Sequence, residues 1–285
     1  MPRAVRPDRS INAEDYQHAP RPVAAMPKDY APGEEIAPHS HRRAQLLYAV
    51  SGVMRITAEE MPAGQAAARP KGIWIVPPQR AVWIPSGCEH EVRMVGPVQM
   101  RTLYVEPDAA PGLPAQCRVI EVSGLLRELI LALMDEPLDY APDSRGAAVA
   151  RLLLQELVAV EALPLHLPQP RDVRLQAVCR QIEARIGEEL PLEDIARDAG
   201  MSSRTLARLF RRETGIGFQQ WRQQARLAEA LARLAAGQPV GIVATDLGYA
   251  GTAAFTAMFR RSLGTTPSRY FETRAPSPAA RGRSR

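Results

Sequence analysis

Apolar positions recur along this chain with two different periods, and the change of period divides it. From Ile36 to Val105 they fall in short runs rich in β-branched and aromatic residues: LLYAV at 46–50, VMRIT at 53–57, IWIV at 73–76, AVWI at 81–84 and VQMRTLYV at 98–105. Ser51-Gly52, Pro77-Pro78 and Pro85-Ser86-Gly87 punctuate them as turns. Short runs broken at close intervals predict a small antiparallel sandwich or barrel. Residues 107–116 read as a linker, and 118–122 as a candidate last strand. Beyond Ser123, a helix cap, the period becomes helical. Leu125, Leu126, Leu129, Ile130, Leu133 and Met134 share one face, and after a break at 136–143 so do Val149, Leu152, Leu153, Leu157, Val158 and Val160. Such wide apolar faces have two readings: packing against the barrel, or pairing between two copies of the chain.

After the proline-broken stretch LPLHLPQPR at 163–171, where His166 reads as exposed linker, a helix carries Leu175, Val178, Cys179, Ile182 and Ile186 on one face. Leu192, Ile195, Ala196 and Ala199 then recur at helical spacing, with Glu193, Asp194, Arg197 and Asp198 on the other side. Pro191 suits the first helical turn, and the acids after it suit the positive end of the helix dipole. Gly200 ends this helix and Ser202 caps the next. In that second helix Leu206, Leu209 and Phe210 face inward, leaving Ser203, Arg204, Thr205, Ala207, Arg208, Arg211 and Arg212 outward or along the rim. A face with four arginines and no acid before Glu213 suits the acceptor-rich major groove of DNA; it equally fits a helical hairpin with a solvated basic side.

A duplication decides between them. Val240, Val243, Ala244, Leu247, Gly248 and Tyr249 repeat Leu192, Ile195, Ala196, Ala199, Gly200 and Met201 at an offset of 48. Phe255, Met258, Phe259, Gly264, Pro267 and Tyr270 repeat Leu206, Leu209, Phe210, Gly215, Phe218 and Trp221 at an offset of 49. Two helix-turn-helix units therefore flank one linker helix over 218–236, about 28 Å long, close to the roughly 34 Å between successive major-groove faces of B-DNA. The predicted DNA contacts are Ser202, Ser203, Arg204, Thr205, Arg208, Arg211 and Arg212 in the first copy. In the second they are Thr252, Ala253, Thr256, Arg260 and Arg261.

Charge follows the same division. From Pro170 onward there are 19 arginines, no lysine and 11 acids, a net +8, whereas the preceding residues carry a net −3. Neutralising phosphate needs the excess where the helix-turn-helix pair lies. No apolar run is long enough for a membrane span, the N-terminus lacks a signal-peptide core, and three scattered cysteines fit a reducing cytosol. A cytoplasmic protein with no membrane partner is the expectation.

Residues 174–273 resemble the DNA-binding domain of the AraC/XylS family of bacterial transcription regulators, down to the closing FTAMFRRSLGTTPSRYF at 255–271. That resemblance implies binding to double-stranded promoter DNA. Residues 30–106 resemble the cupin superfamily. Gly33, His39, His41, Gln45 and Gly52 stand at the spacing of its first motif, and Pro85-Ser86-Gly87-Cys88-Glu89-His90 matches the core of its second. In metal-binding cupins the matching positions close around one divalent ion, so carry-over implies an effector or metal pocket of His39, His41, Gln45 and His90. Gln45 departs from the pattern: an amide oxygen is a weaker ligand than a carboxylate and leaves Zn, Ni or Cu as better candidates than harder ions. The other reading keeps these residues as pocket lining without metal.

The expectation is a two-domain α+β protein. It comprises a flexible arm (1–29), an antiparallel cupin-like sensory barrel (30–106), a helical coupling or dimerisation region (107–170), an all-α double helix-turn-helix domain (171–273) and a disordered basic tail (274–285). It is expected to be a DNA-binding regulator and not an enzyme. In this reading it is an activator acting on neighbouring genes, with a small-molecule effector, RNA polymerase and a second copy as partners. The alternative is a metal-dependent cupin enzyme fused to a DNA-binding domain.

Overall fold

The computed structural model describes residues 10–59, 71–160, 162–163 and 165–271. The first half runs through α1 (Glu14–Gln17), β1 (Val23–Tyr30), β2 (Glu35–His39), β3 (Ala44–Glu59), β4 (Lys71–Val76), β5 (Arg80–Ile84), β6 (His90–Val105) and β7 (Arg118–Glu121). It continues with α2 (Gly124–Leu133), α3 (Arg145–Ala159), β8 (Ala162–Leu163) and β9 (His166–Pro168). The second half is helical: α4 (Val173–Ala184), α5 (Leu192–Asp198), α6 (Ser203–Thr214), α7 (Phe218–Ala235), α8 (Val240–Asp246), α9 (Thr252–Leu263) and α10 (Pro267–Phe271). The α+β class with an antiparallel first half and a helical second half is as expected.

Two long strands frame the sheet. β3 and β6 pair antiparallel from Ala44↔Val105 to Ala58↔His90, with register shifts between Ala49 and Val53. The runs expected at 46–50 and 53–57 are therefore one strand, bent where Gly52 takes φ +81° and a Cβ would lie 2.2 Å from the Pro97 carbonyl oxygen. Beyond the bend the neighbours change: β3 pairs first with β5 and then with β4, and β6 first with β2 and then with β1. The bend thus splits one ladder into two opposed faces around an interior that receives alternate side chains.

The expected flexible arm needs correction within its described residues. β1 pairs with β6 from Val23↔Val105 to Tyr30↔Val98, and Tyr16 is fully buried with its ring 5.7 Å from that of Tyr104. Gln17 accepts from the Arg43 backbone N–H at 3.2 Å. Ala-Ala-Met-Pro is a poor strand sequence by propensity, and only the waiting edge of β6 makes it one. The region 107–170 also needs correction, because β7, β8 and β9 extend the same sheet. Leu126, Ile130 and Leu153 are fully buried with Leu46, Trp83 and Leu103 of the sheet, each contributing roughly 1.5–3 kcal/mol. Packing against the barrel accounts for these faces, although Leu125, Leu152 and Val158 stay exposed. The proline-broken hinge contributes a sheet strand, β9: His166 pairs with Trp74 and stacks on its indole at 4.5 Å, so it is not loose linker. The expected tail, 274–285, lies outside the described residues.

The halves share one apolar cluster that runs from Leu47, Val53 and Ile75 in the sheet to Leu175, Ile182 and Leu231 in the helices. Polar links fix the contact. Trp221 Nε1 donates to the Pro168 carbonyl at 2.7 Å, Arg55 pairs with Glu183 at 3.8 Å, and the Arg80 guanidinium lies over the Tyr270 ring. Burial, with the Arg55 charge only partly offsetting it, raises the Glu183 carboxyl above its ordinary range.

Candidate DNA-reading face and barrel pocket

Each reading unit is built from a turn that glycine alone tolerates well. α5 ends at Gly200, φ +67°, and the Met201 N–H reaches back to the Ala196 carbonyl at 2.9 Å; α8 ends at Gly248, φ +74°, and the Tyr249 N–H reaches Ala244 at 3.0 Å. These are paired C-terminal caps of Schellman type, with the same hydrogen bond and the same glycine conformation in both copies. Pro191, expected in the first turn of α5, is its N-cap. Ser202 caps α6 by accepting from Thr205 N–H, and its hydroxyl also lies 2.9 Å from the Thr205 hydroxyl.

Leu206, Leu209 and Phe210 are buried under α6, as Phe255, Met258 and Phe259 are under α9. That inward packing pushes Arg204, Ala207, Arg208 and Arg211 out to solvent from α6, and Thr252, Ala253, Ala257, Arg260 and Arg261 from α9. Ser203, Thr205 and Thr256 sit at the rim, half-buried. Arg212 is exposed but held by Glu213 at 3.2 Å, a contact that competes with phosphate. The predicted contacts therefore lie on two continuous surfaces at the two ends of α7.

What sets the relative position of the two units was not visible in the pattern. The backbone of Gly187, before α5, touches the turn of the second unit: a Cβ on Gly187 would lie 1.9 Å from the Asp246 carbonyl oxygen, and one on Gly248 would lie 2.0 Å from the Gly187 carbonyl oxygen. From α7, Arg222 donates to the carbonyls of Leu190 and Glu188, and Arg226 to those of Ile186 and Glu188. Arg226 also covers the Tyr249 ring. One loop is thus clasped between linker helix and second unit.

In the first half, β2 and β6 pair His39 with His90, and the turn after β2 carries His41 to the same place. Their ring centroids lie 4.7, 4.3 and 5.6 Å apart, and one ligand atom from each falls within 4.8 Å of the others. Second contacts set the tautomers. His39 Nδ1 lies 2.7 Å from the Ala37 carbonyl and His90 Nδ1 lies 3.0 Å from that of Cys88, so in each ring Nδ1 donates to a carbonyl and Nε2 is left as the ligand atom. Burial, with the neighbouring His39 adding to it, lowers His41 to about 4; His90 is lowered to about 4 by burial, against its bond to Cys88.

Gln45 is buried beside them, and its Oε1, like His90 Nε2, meets no protein partner. Two orphaned buried acceptors in one place leave room for an ion or a ligand donor to satisfy them. The enclosed space, about 190 Å³, is completed by Tyr104, Thr102, Met26, Lys28 and Tyr30, and no carboxylate is among its lining residues. Burial pushes the Tyr104 phenol above its ordinary range and the Tyr30 phenol to about 12. These residues were missed in the sequence. Tyr104 lay in a run read as strand, and only the ladder sets it opposite Gln45; Met26 and Lys28 were hidden because residues 1–29 were read as arm.

Residues 26–160 match the family model of an AraC-like ligand binding domain, and residues 195–273 that of a helix-turn-helix domain. The HTH-type transcriptional regulator NimR of Escherichia coli (strain K12) is 36% identical over 81% of each chain. The transcriptional activator NphR of Rhodococcus sp is 35% identical over 52% of this chain and 45% of that protein. Among solved structures, the DNA-binding domain of AdpA in complex with a target DNA is 33% identical, covers 33% of this chain and 86% of that one, and has a TM-score of 0.31.

Proposed function

Since this chain belongs to the AraC family of transcription regulators, with a ligand-binding domain and a helix-turn-helix DNA-binding domain, we propose that the barrel pocket takes a small effector and that α6 and α9 enter successive major grooves of a promoter. In this reading the protein activates neighbouring genes through RNA polymerase in the cytoplasm and works as a homodimer, for which exposed Leu125, Leu152 and Val158 supply an unpaired apolar surface. The observation that carries the reading is the pair of exposed, similarly built recognition helices clasped to one linker helix. Arg204 and Arg208 read bases, while Arg211, Arg260 and Arg261 hold phosphate.

The pocket fits a divalent ion: two orphaned acceptors stand beside three imidazoles, of which His41 and His90 are lowered to about 4 and so stay neutral at pH 7 as ready donors. His39, His41 and His90 would hold it, with Gln45 as the weakest donor, and the ion would offer a positive centre for an anionic effector. Elemental analysis of purified protein should find up to one equivalent, removed by His41→Ala; metal-free protein with full effector response would reduce these residues to pocket lining. With no carboxylate lining the site, the enzymatic alternative finds no carboxylate base there.

The DNA reading is tested by selecting from random duplexes with the full chain and with residues 171–285. Both should enrich one bipartite sequence, its halves about one helical turn apart, and binding should weaken steeply with salt. No enrichment by the full chain would overturn the reading. Enrichment by the full chain alone would show instead that the shared apolar cluster is needed to hold the reading units.

A further inference from the structure

Two thiols separated by 29 positions in the sequence meet at the turn that leads into β6. Cys88 lies in the turn between β5 and β6, and Cys117 stands one residue before β7; their sulfurs are 3.6 Å apart. Cys88 is buried, with its Sγ toward the backbone carbonyls of Glu59 at 3.3 Å and Glu89 at 3.8 Å. Cys117 is half-buried and lines, with Gln116, Arg118, Trp74 and His166, an open cavity of about 730 Å³ at the seam between the halves. One sulfur is therefore within reach of a small solute, and the second waits directly behind it. The third thiol, Cys179, is buried in α4 and shares neither feature.

We propose that Cys88 and Cys117 form an oxidant-responsive pair that closes an intrachain disulfide. With a hydroperoxide as oxidant, the Cys117 sulfur attacks the peroxide oxygen, the O–O bond breaks, and the thiol proton leaves with the departing oxygen as water or alcohol; Cys117 becomes a sulfenic acid. The Cys88 sulfur then attacks the Cys117 sulfur, the S–O bond breaks, and the Cys88 proton leaves with hydroxide as a second water. Two thiols have lost two electrons and the peroxide has gained them. Closing the bond brings the sulfurs from 3.6 Å to about 2.05 Å, a movement of about 1.5 Å. It also draws on the turn whose Cys88 carbonyl orients His90, so oxidation reaches the pocket through a single hydrogen bond.

The test uses the full chain, reduced, desalted, exposed to hydrogen peroxide, quenched with catalase, then denatured and alkylated with N-ethylmaleimide before mass spectrometry. Alkylated thiols should fall from three to one, with Cys179 the survivor, alongside a peptide pair joining Cys88 to Cys117 that dithiothreitol separates. Cys88→Ser should stop at a Cys117 sulfenic acid that dimedone captures, and Cys117→Ser, at a half-buried position, should give no intrachain bridge. Three alkylatable thiols in treated wild-type protein would overturn the proposal. So would Cys117 sulfinic acid without the joined peptide, or a bridge formed only between chains.

Discussion

The two helix-turn-helix units share a scaffold and differ in surface. Both have a left-handed glycine ending the first helix, three large apolar residues under the second, and a left-handed glycine at its end, Gly215 and Gly264, each with φ +75°. Their outward faces share one arginine pair, Arg211–Arg212 and Arg260–Arg261, but differ toward the start of the helix, where Arg204 and Arg208 in the first stand where Ala253 and Ala257 stand in the second. Packing tolerates only apolar exchange at the buried positions, whereas solvent imposes no such limit on the outer face, so one fold presents two chemistries. Their surroundings differ as well. The first turn has open space around Gly200, while Gly248 in the second presses on the backbone of Gly187.

The contrast between the glycines should give the largest effect. Gly200→Ala meets only the left-handed backbone cost, about 1–2 kcal/mol. Gly248→Ala meets that cost together with the Gly187 carbonyl, and should lose clearly more in urea denaturation; equal losses would refute the contact. Gly187→Ala isolates the contact, and is expected to shift the spacing between the two halves of a footprint more than the affinity for either half.

A smaller difference is expected on the outer faces. Arg204→Ala or Arg208→Ala should remove about 1–3 kcal/mol of discrimination at one or two base pairs in one half-site, against a lesser change for Thr252→Ala or Thr256→Ala. Uniform weakening across a panel of variant sites, with a shallower salt dependence, would make the arginines phosphate clamps and hand base reading to α9 or to DNA shape.

Smaller again is the cap. Ser202→Ala should cost about 1 kcal/mol in thermal or urea unfolding, because Thr205 N–H loses its acceptor; α9 has no such side-chain cap. An unchanged unfolding curve for Ser202→Ala would mean that the Ser202 bond contributes nothing.

Acid should not distinguish the two units at all. Neither contains a histidine, whereas His41 and His90 in the first half are lowered to about 4 from 6.5. The unfolded chain takes up protons near pH 6.5 and the fold resists until about 4. Their contribution to stability is therefore complete above 6.5, falls as pH falls toward 4, and levels below. Unfolding of the full chain across that window should weaken in wild type and flatten in His41→Ala and His90→Ala, with base preferences in the two half-sites unchanged. A wild-type curve flat between pH 6.5 and 4 would contradict the buried neutral imidazoles.

The duplicated units were legible residue by residue, because a helix face is a local pattern: the positions that repeat at offsets of 48 and 49 include the side chains found buried. The histidine cluster was legible as a spacing, and β2 with β6 brings its members together. The pocket wall from β1 was not, since Met26, Lys28 and Tyr30 acquire meaning only through an edge supplied by residues more than sixty positions away.

By itself, then, the sequence determined the period of each segment, the caps and turns, the repeat, and the charge asymmetry between halves, all of which depend on residues within a few turns of one another or on bare composition. Tertiary structure alone decided that the hinge contributes a sheet strand at His166–Pro168 and that Gly187 meets Gly248. It likewise decided that Cys88 meets Cys117 and that one apolar cluster joins sensor to reader. The physical reason is the same in each case: contacts between distant segments depend on how bends such as that at Gly52 aim whole ladders and helices, and no local pattern records that direction.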